Sequence, residues 1–99
     1  MRGRGRTIAT VLADTLGPRR DARRAAVAAA FLEACGWPLS REVAVRGLTQ
    51  DGCIIVTASS RAWADQVEAL GPRLRARVNA RVGEEVATRL DVRVGSLGR

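Results

Sequence analysis

The stretch Asp51-Gly52-Cys53-Ile54-Ile55-Val56-Thr57-Ala58-Ser59-Ser60-Arg61-Ala62-Trp63 holds a turn, a strand and a helix start in thirteen residues. Gln50-Asp51-Gly52 is hairpin-turn chemistry, because aspartate and glycine tolerate the backbone angles that a tight reversal requires. From Cys53 to Ala58 the chain is apolar and β-branched. Ile54, Val56 and Ala58 fall on one face, and Cys53, Ile55 and Thr57 on the other. Ser59 or Ser60 then offers a hydroxyl to the first unpaired amides of a helix.

Upstream, Val43 and Val45 alternate with Glu42, Ala44 and Arg46, the period of a partner strand across the hairpin. Before it, Ala22 to Cys35 reads as a helix capped by Asp21, with six alanines between Ala22 and Ala30 and with Val27, Phe31 and Cys35 on one face. Gly36 and the Trp37-Pro38 pair end it. Earlier still, Thr7 caps a short helix bearing Ile8, Val11, Leu12 and Leu16, which Gly17 and Pro18 stop. So short a helix has to dock by its apolar stripe. Met1 to Arg6 alternates arginine with glycine and reads as a mobile arm.

Downstream, Trp63, Val67, Leu70, Leu74 and Val78 form the buried stripe of a third helix. Asp65 and Glu68 lie near its start and arginines toward its end. Gly71-Pro72 should kink or break it, since proline removes a backbone hydrogen bond, and Gly83 ends it. A last strand follows, with Leu90, Val92 and Val94 inward and Arg89, Asp91 and Arg93 outward. The expectation is an α+β domain over residues 8–97, between an arm at 1–7 and a short tail at 98–99. Its order is α-α-β-β-α-β, with helices on one face of a three-stranded sheet. Ile55 beside Cys53 on the open face is a candidate partner contact.

Composition excludes much chemistry. All seventeen basic residues are arginine and ten residues are acidic, for a net charge of +7; lysine, histidine and tyrosine are absent. That removes a histidine base, a Ser–His or Cys–His pair, a lysine Schiff base and a histidine-containing zinc site, so no enzyme, metal or cofactor is expected. Cys35 and Cys53 lack the spacing of a metal or redox motif and read as reduced apolar residues. No segment has the length of a membrane span or the pattern of a leader. A cytoplasmic protein without a small-molecule substrate is expected.

The charge is concentrated. Arg2, Arg4 and Arg6 give +3, Arg19, Arg20, Arg23 and Arg24 against Asp21 give +3, and Arg73, Arg75, Arg77 and Arg81 give +4. Clustered positive charge is a footprint for polyanions, nucleic acid first among them. In the arm, planar guanidinium forks separated by glycine suit phosphate contact without base readout. With Asp21 as cap, Arg23 and Arg24 fall in the first turn, where the helix dipole disfavours cations, so their placement points to a partner. Arg73, Arg77 and Arg81 lie toward a helix C-terminus, where the same dipole favours them without any partner. Trp63 belongs to an apolar stripe and reads as a core anchor. Trp37 lies outside any stripe and is either a partner contact or a lid on the core's edge.

The Asp51 to Trp63 run resembles the "dG-x-L-x-V-x-x-s-S-x-x-W" signature of the DciA family. Leu70, Leu74, Val78, Asn79 and Gly83 are similar to its "L…L…(I/L)N…G" continuation, Val92-Arg93-Val94-Gly95 to its closing "f-r-v-G", and Phe31 to Gly36 to its helix end. The resemblance spans about residues 8–97. It implies a KH-like domain acting in bacterial DNA replication, an adaptor that contacts DNA, single-stranded or forked, and helps load the replicative helicase DnaB at the nucleoid. Gly36, Gly52, Ser60 and Trp63 carry over as fold markers only. No G-x-x-G loop of the kind that clamps RNA in KH domains is present. The competing readings are a general single-stranded DNA- or RNA-binding module without a helicase partner, and a structural protein that dimerises through its sheet.

Overall fold

The computed structural model describes residues 18–98, with side chains from Arg20 onward. The expected arm and the expected helix over Ile8 to Leu16 lie outside the described residues. Within them the order is α1 (Pro18–Cys35), a 3-10 turn (Leu39–Arg41), β1 (Val43–Leu48), β2 (Cys53–Ala58), α2 (Arg61–Val82) and β3 (Arg89–Val94). This is the expected α+β succession from the second helix onward.

Helix α1 starts earlier than its sequence suggests. Asp21 does not cap it; the helix begins at Pro18, and Asp21 sits inside the first turn. Proline fits the first helical position, where its fixed φ is already helical and its missing N–H has no partner to lose. Gly36, at φ 70°, ends the helix in the left-handed region, and its N–H donates to the Leu32 carbonyl at 3.1 Å. That geometry favours glycine because a Cβ disfavours it.

The sheet order is β1-β2-β3. β1 and β2 form the antiparallel hairpin, and β3 returns parallel to β2 after the α2 crossover. The strand pairs Val43 with Ala58 and Val45 with Val56, and Ile54 and Val56 with Leu90 and Val92 across the parallel ladder. The register slips between Val45 and Gly47. This bulge returns Leu48 to the side of the helices, where it packs against the core.

Both helices cover the same face. Val27 and Phe31 of α1 and Ala64, Val67, Leu74 and Val78 of α2 close over Val43, Ile54, Val56 and Ala58. Each large apolar side chain so buried contributes about 1.5–3 kcal/mol. Trp63 is half-buried and packs against this cluster.

Helix α2 has the expected ends. The Ser60 hydroxyl accepts the Trp63 N–H at 3.2 Å, and Gly83, at φ 91°, donates its N–H to the Asn79 carbonyl at 2.8 Å. Gly71-Pro72 does not break it: the helix is continuous from Arg61 to Val82. Ala64 and Val67 before the proline, and Leu74 and Val78 after it, are all seated in the core. That packing offsets the loss of one backbone bond. Two inward–outward assignments also change. Cys53 is buried although it starts on the open face, because it opens the central strand, tied at its N–H to the Thr49 hydroxyl at 2.9 Å and paired with Arg89. Val94 is 47% exposed, being the last residue of an edge strand.

Candidate nucleic-acid and partner surface

The residues that carry the sequence signature build architecture. Gly52 adopts φ 94° and lies so close to the α2–β3 connection that a Cβ there would meet the Val86 carbonyl oxygen at 2.7 Å and Thr88 side-chain atoms at 2.9 Å. The Gly52 carbonyl accepts the Thr88 N–H at 2.8 Å, and the Thr88 hydroxyl donates to the Asp51 carbonyl at 2.7 Å. From the other side, Asn79 Oδ1 accepts the N–H groups of Val86 and Ala87 at 2.9 and 2.7 Å, and its Nδ2 donates to the Ala87 carbonyl at 3.1 Å. The hairpin turn and the end of α2 are thereby clamped onto one loop. The Thr49 hydroxyl donates to Asp51, and with the Arg89 guanidinium at 3.2 Å holds that carboxyl below its ordinary range.

The chemistry available to a partner lies elsewhere, in the arginines, and tertiary contacts divide them. Residues 20–26 of α1 are all exposed, whereas Val27, Ala30 and Phe31 are buried. The first turns of α1 therefore project beyond the core. By helical spacing Arg20, Arg23 and Arg24 continue the Val27–Phe31 stripe onto this overhang. Arg23 reaches Glu84 in the loop after α2 at 3.4 Å, an exposed pair worth little. Arg20 and Arg24 are exposed, and their side chains meet no hydrogen-bonding or ionic partner among the described residues. With the helix starting at Pro18, Arg19 and Arg20 occupy the first turn. Arg23 and Arg24 move to the second, where the dipole has largely faded, so the dipole argument transfers from Arg23 and Arg24 to Arg19 and Arg20.

The α2 arginines are mostly occupied. Arg77 Nη1 donates to the Ala34 carbonyl at 3.3 Å, at the C-terminal end of α1, where a cation suits the exposed carbonyls. Arg81 pairs with Glu33, and Arg75 donates to the Thr88 carbonyl at 2.9 Å. Glu33, Ala34, Arg77, Ala80 and Arg81 line a shallow groove between the helices. Arg73, one turn earlier on α2, is exposed without such a partner among the described residues.

On the open sheet face the charges balance locally. Arg93 pairs with Asp91 at 2.7 Å, and Arg46 donates to the Ser96 carbonyl at 2.7 Å and to Thr57 at 3.4 Å. Ile55 is half-buried there. Trp37 is 78% exposed, so it does not lie over the core as a lid. Arg41, in the 3-10 turn just after it, is exposed and has no side-chain partner among the described residues; a single arginine outside any charge cluster leaves no mark in composition. Arg2, Arg4 and Arg6 lie outside the described residues. Both thiols are free, and burial pushes Cys35 up to about 12, far from a reactive thiolate. No helix among the described residues is long and apolar enough to cross a membrane.

A comparison with curated proteins returned no match. The family described as "Dna[CI] antecedent, DciA" matches residues 5–92, which takes in every element from α1 through most of β3. This is a family of helicase loaders or adaptors rather than of enzymes, and its role lies in DNA replication. The turn, cap and clamp just described fall within that match, and the chain belongs to the DciA family.

Proposed function

We propose that this domain is a non-enzymatic adaptor that binds DNA through its arginines and assists loading of the replicative helicase DnaB. The observation that carries the DNA-binding half is the α1 overhang, a helix end that continues an apolar stripe as arginine. Arg20 and Arg24 stand there without partners among the described residues, on the side of α1 that a packed helix keeps apolar. Such guanidinium groups are free to exchange counterions for phosphates. Arg2, Arg4, Arg6 and Arg19 are given the same phosphate-contacting role on their sequence alone, and Arg73 contributes separately from α2. Arg23, Arg77 and Arg81 add to binding by exchanging exposed internal partners for phosphate. The helicase-loading half is supported by family membership, and a cytoplasmic location at the nucleoid goes with that reading.

The test is retention of DnaB by the tagged full chain at physiological salt, alongside binding of a labelled fork and a labelled single strand. The reading expects both helicase retention and DNA binding. Oligonucleotide binding with no helicase retained supports a general nucleic-acid module instead. A stable dimer by light scattering with no oligonucleotide bound supports a structural protein.

A further inference from the structure

Among the described residues, Trp37 and Val94 are the large apolar side chains left exposed, at 78% and 47%. They differ in setting. Val94 ends an edge strand, whereas Trp37 stands in the short connection between α1 and β1. Gly36 and Leu39 hold that connection in place. The Ser40 N–H donates to the Gly36 carbonyl at 2.7 Å, the Arg41 N–H to the Pro38 carbonyl at 3.0 Å, and Leu39 is buried in the core. The indole is thus presented from an anchored turn.

A cation stands in the same connection. Arg41 lies one 3-10 turn further along, exposed, with no side-chain partner among the described residues. A second arginine, Arg73, stands on α2. The contacts of Arg81 with Glu33 and of Arg77 with the Ala34 carbonyl set the two helices antiparallel. Moving up α2 from Arg77 therefore leads past the end of α1 toward Trp37. Arg73 is the next residue on that face, about 6 Å along the axis.

An exposed aromatic platform, with arginines that have no side-chain partner among the described residues, matches the requirements of one unstacked base and its neighbouring phosphates. A protein anchor of this type is usually ringed by further apolar or aromatic surface, and here the connection carries the exposed Arg41 and no second aromatic side chain.

We propose that Trp37 is a base-stacking residue and that Trp37, Arg41 and Arg73 form a site for single-stranded DNA. The site is distinct from the arginines of the α1 overhang, since Arg24 lies about 17 Å from Cys35 along the helix. The proposal rests on the DNA-binding reading above and assigns it a strand preference. A paired duplex offers no free base face, so this site discriminates single strand from duplex where the overhang arginines cannot.

The test uses the full chain with Trp63→Phe, so that Trp37 is the sole fluorophore, titrated with oligothymidine and with a duplex of equal length. Quenching by the single strand and not by the duplex is expected. Trp37→Ala should weaken oligothymidine binding by about 5- to 100-fold while Trp37→Phe keeps most of it. Trp37→Ala should leave duplex binding and the melting temperature unchanged, because the indole is largely outside the core. Unchanged oligothymidine affinity in Trp37→Ala overturns the proposal. So does equal quenching by duplex, or a loss confined to helicase retention, which would make Trp37 a protein anchor. Arg20→Glu with Arg24→Glu separates the two readings. If that pair abolishes DNA binding while Trp37→Ala does not alter it, the stacking site fails and the arginine reading stands.

Discussion

Replacing Gly52 with alanine tests whether the family signature encodes architecture. At φ 94° an L-residue occupies the left-handed region at a cost of about 1–2 kcal/mol. The new Cβ would also lie 2.7 Å from a backbone oxygen and 2.9 Å from a threonine side chain. Neither neighbour can yield easily. The Val86 and Ala87 backbone is held by Asn79 on three hydrogen bonds, and Thr88 is tied to both Asp51 and Gly52. Overpacking of this kind costs a further ~1–3 kcal/mol. Gly83→Ala is the matched control: φ is 91° and nothing lies within 4 Å of its Cβ, so only the backbone cost applies. Denaturant unfolding followed by circular dichroism should place Gly52→Ala about 1–3 kcal/mol below Gly83→Ala. Its total loss of about 2–5 kcal/mol corresponds to a melting temperature lower by at least about 8 °C in a domain of this size. If the two variants lose equal stability, the clamp between turn and loop is not what makes glycine necessary at 52.

The remaining predictions concern the arginines and one thiol. Arg2, Arg4 and Arg6 changed together to alanine should weaken binding to all DNA sequences alike and reduce the log–log salt slope by up to about 2.7; an unchanged slope means the arm does not touch phosphate. Arg20→Glu with Arg24→Glu should reduce fork binding with less than about 1 kcal/mol change in stability, since neither has a partner to lose among the described residues. A large fall in melting temperature would show that the overhang is packed. Arg77→Ala, which removes the donor to the Ala34 carbonyl, should lower stability by about 0.5–1.5 kcal/mol. Arg73→Ala should lower DNA affinity with little change in stability, and a stability loss at Arg73 with affinity unchanged refutes this reading. Burial raises the Cys35 thiol to about 12, so its proton is held in the folded state after the unfolded chain has released it. Stability should therefore be full below about pH 8.5 and fall as pH rises toward 12. Cys35→Ala should lose that contribution to the slope, and an identical alkaline slope in the variant contradicts it.

Local rules reached far into this fold. Ser60 as cap, Gly83 and Gly36 as stops and the Asp51-Gly52 turn are each decided within a few residues, because capping and reversal are short-range hydrogen-bond and φ problems. The same rules misplaced the start of α1. Gly17-Pro18 reads equally as the end of one helix and the first turn of the next, and Asp21 offers a competing cap that the longer helix absorbs. Gly71-Pro72 was misleading for a different reason. Its cost is local, whereas the packing of Leu74 and Val78 that outweighs it is not.

The arginines show the same boundary most sharply. Sequence by itself determined that this chain is cationic, lacks the side chains of common catalysis, folds as α+β and carries the DciA signature, since composition and short-range pattern suffice for each. It could not say which arginines remain available. Arg77 and Arg73 are one turn apart on the same helix, and only the crossing of α1 over α2 puts a carbonyl under one and leaves the other without a partner among the described residues. Likewise Trp37 becomes a candidate platform, rather than a lid, only because Phe31 and Leu39 fill the core beside it and leave the indole outside. Availability is a property of what a side chain is packed against, and that is settled by residues distant in sequence.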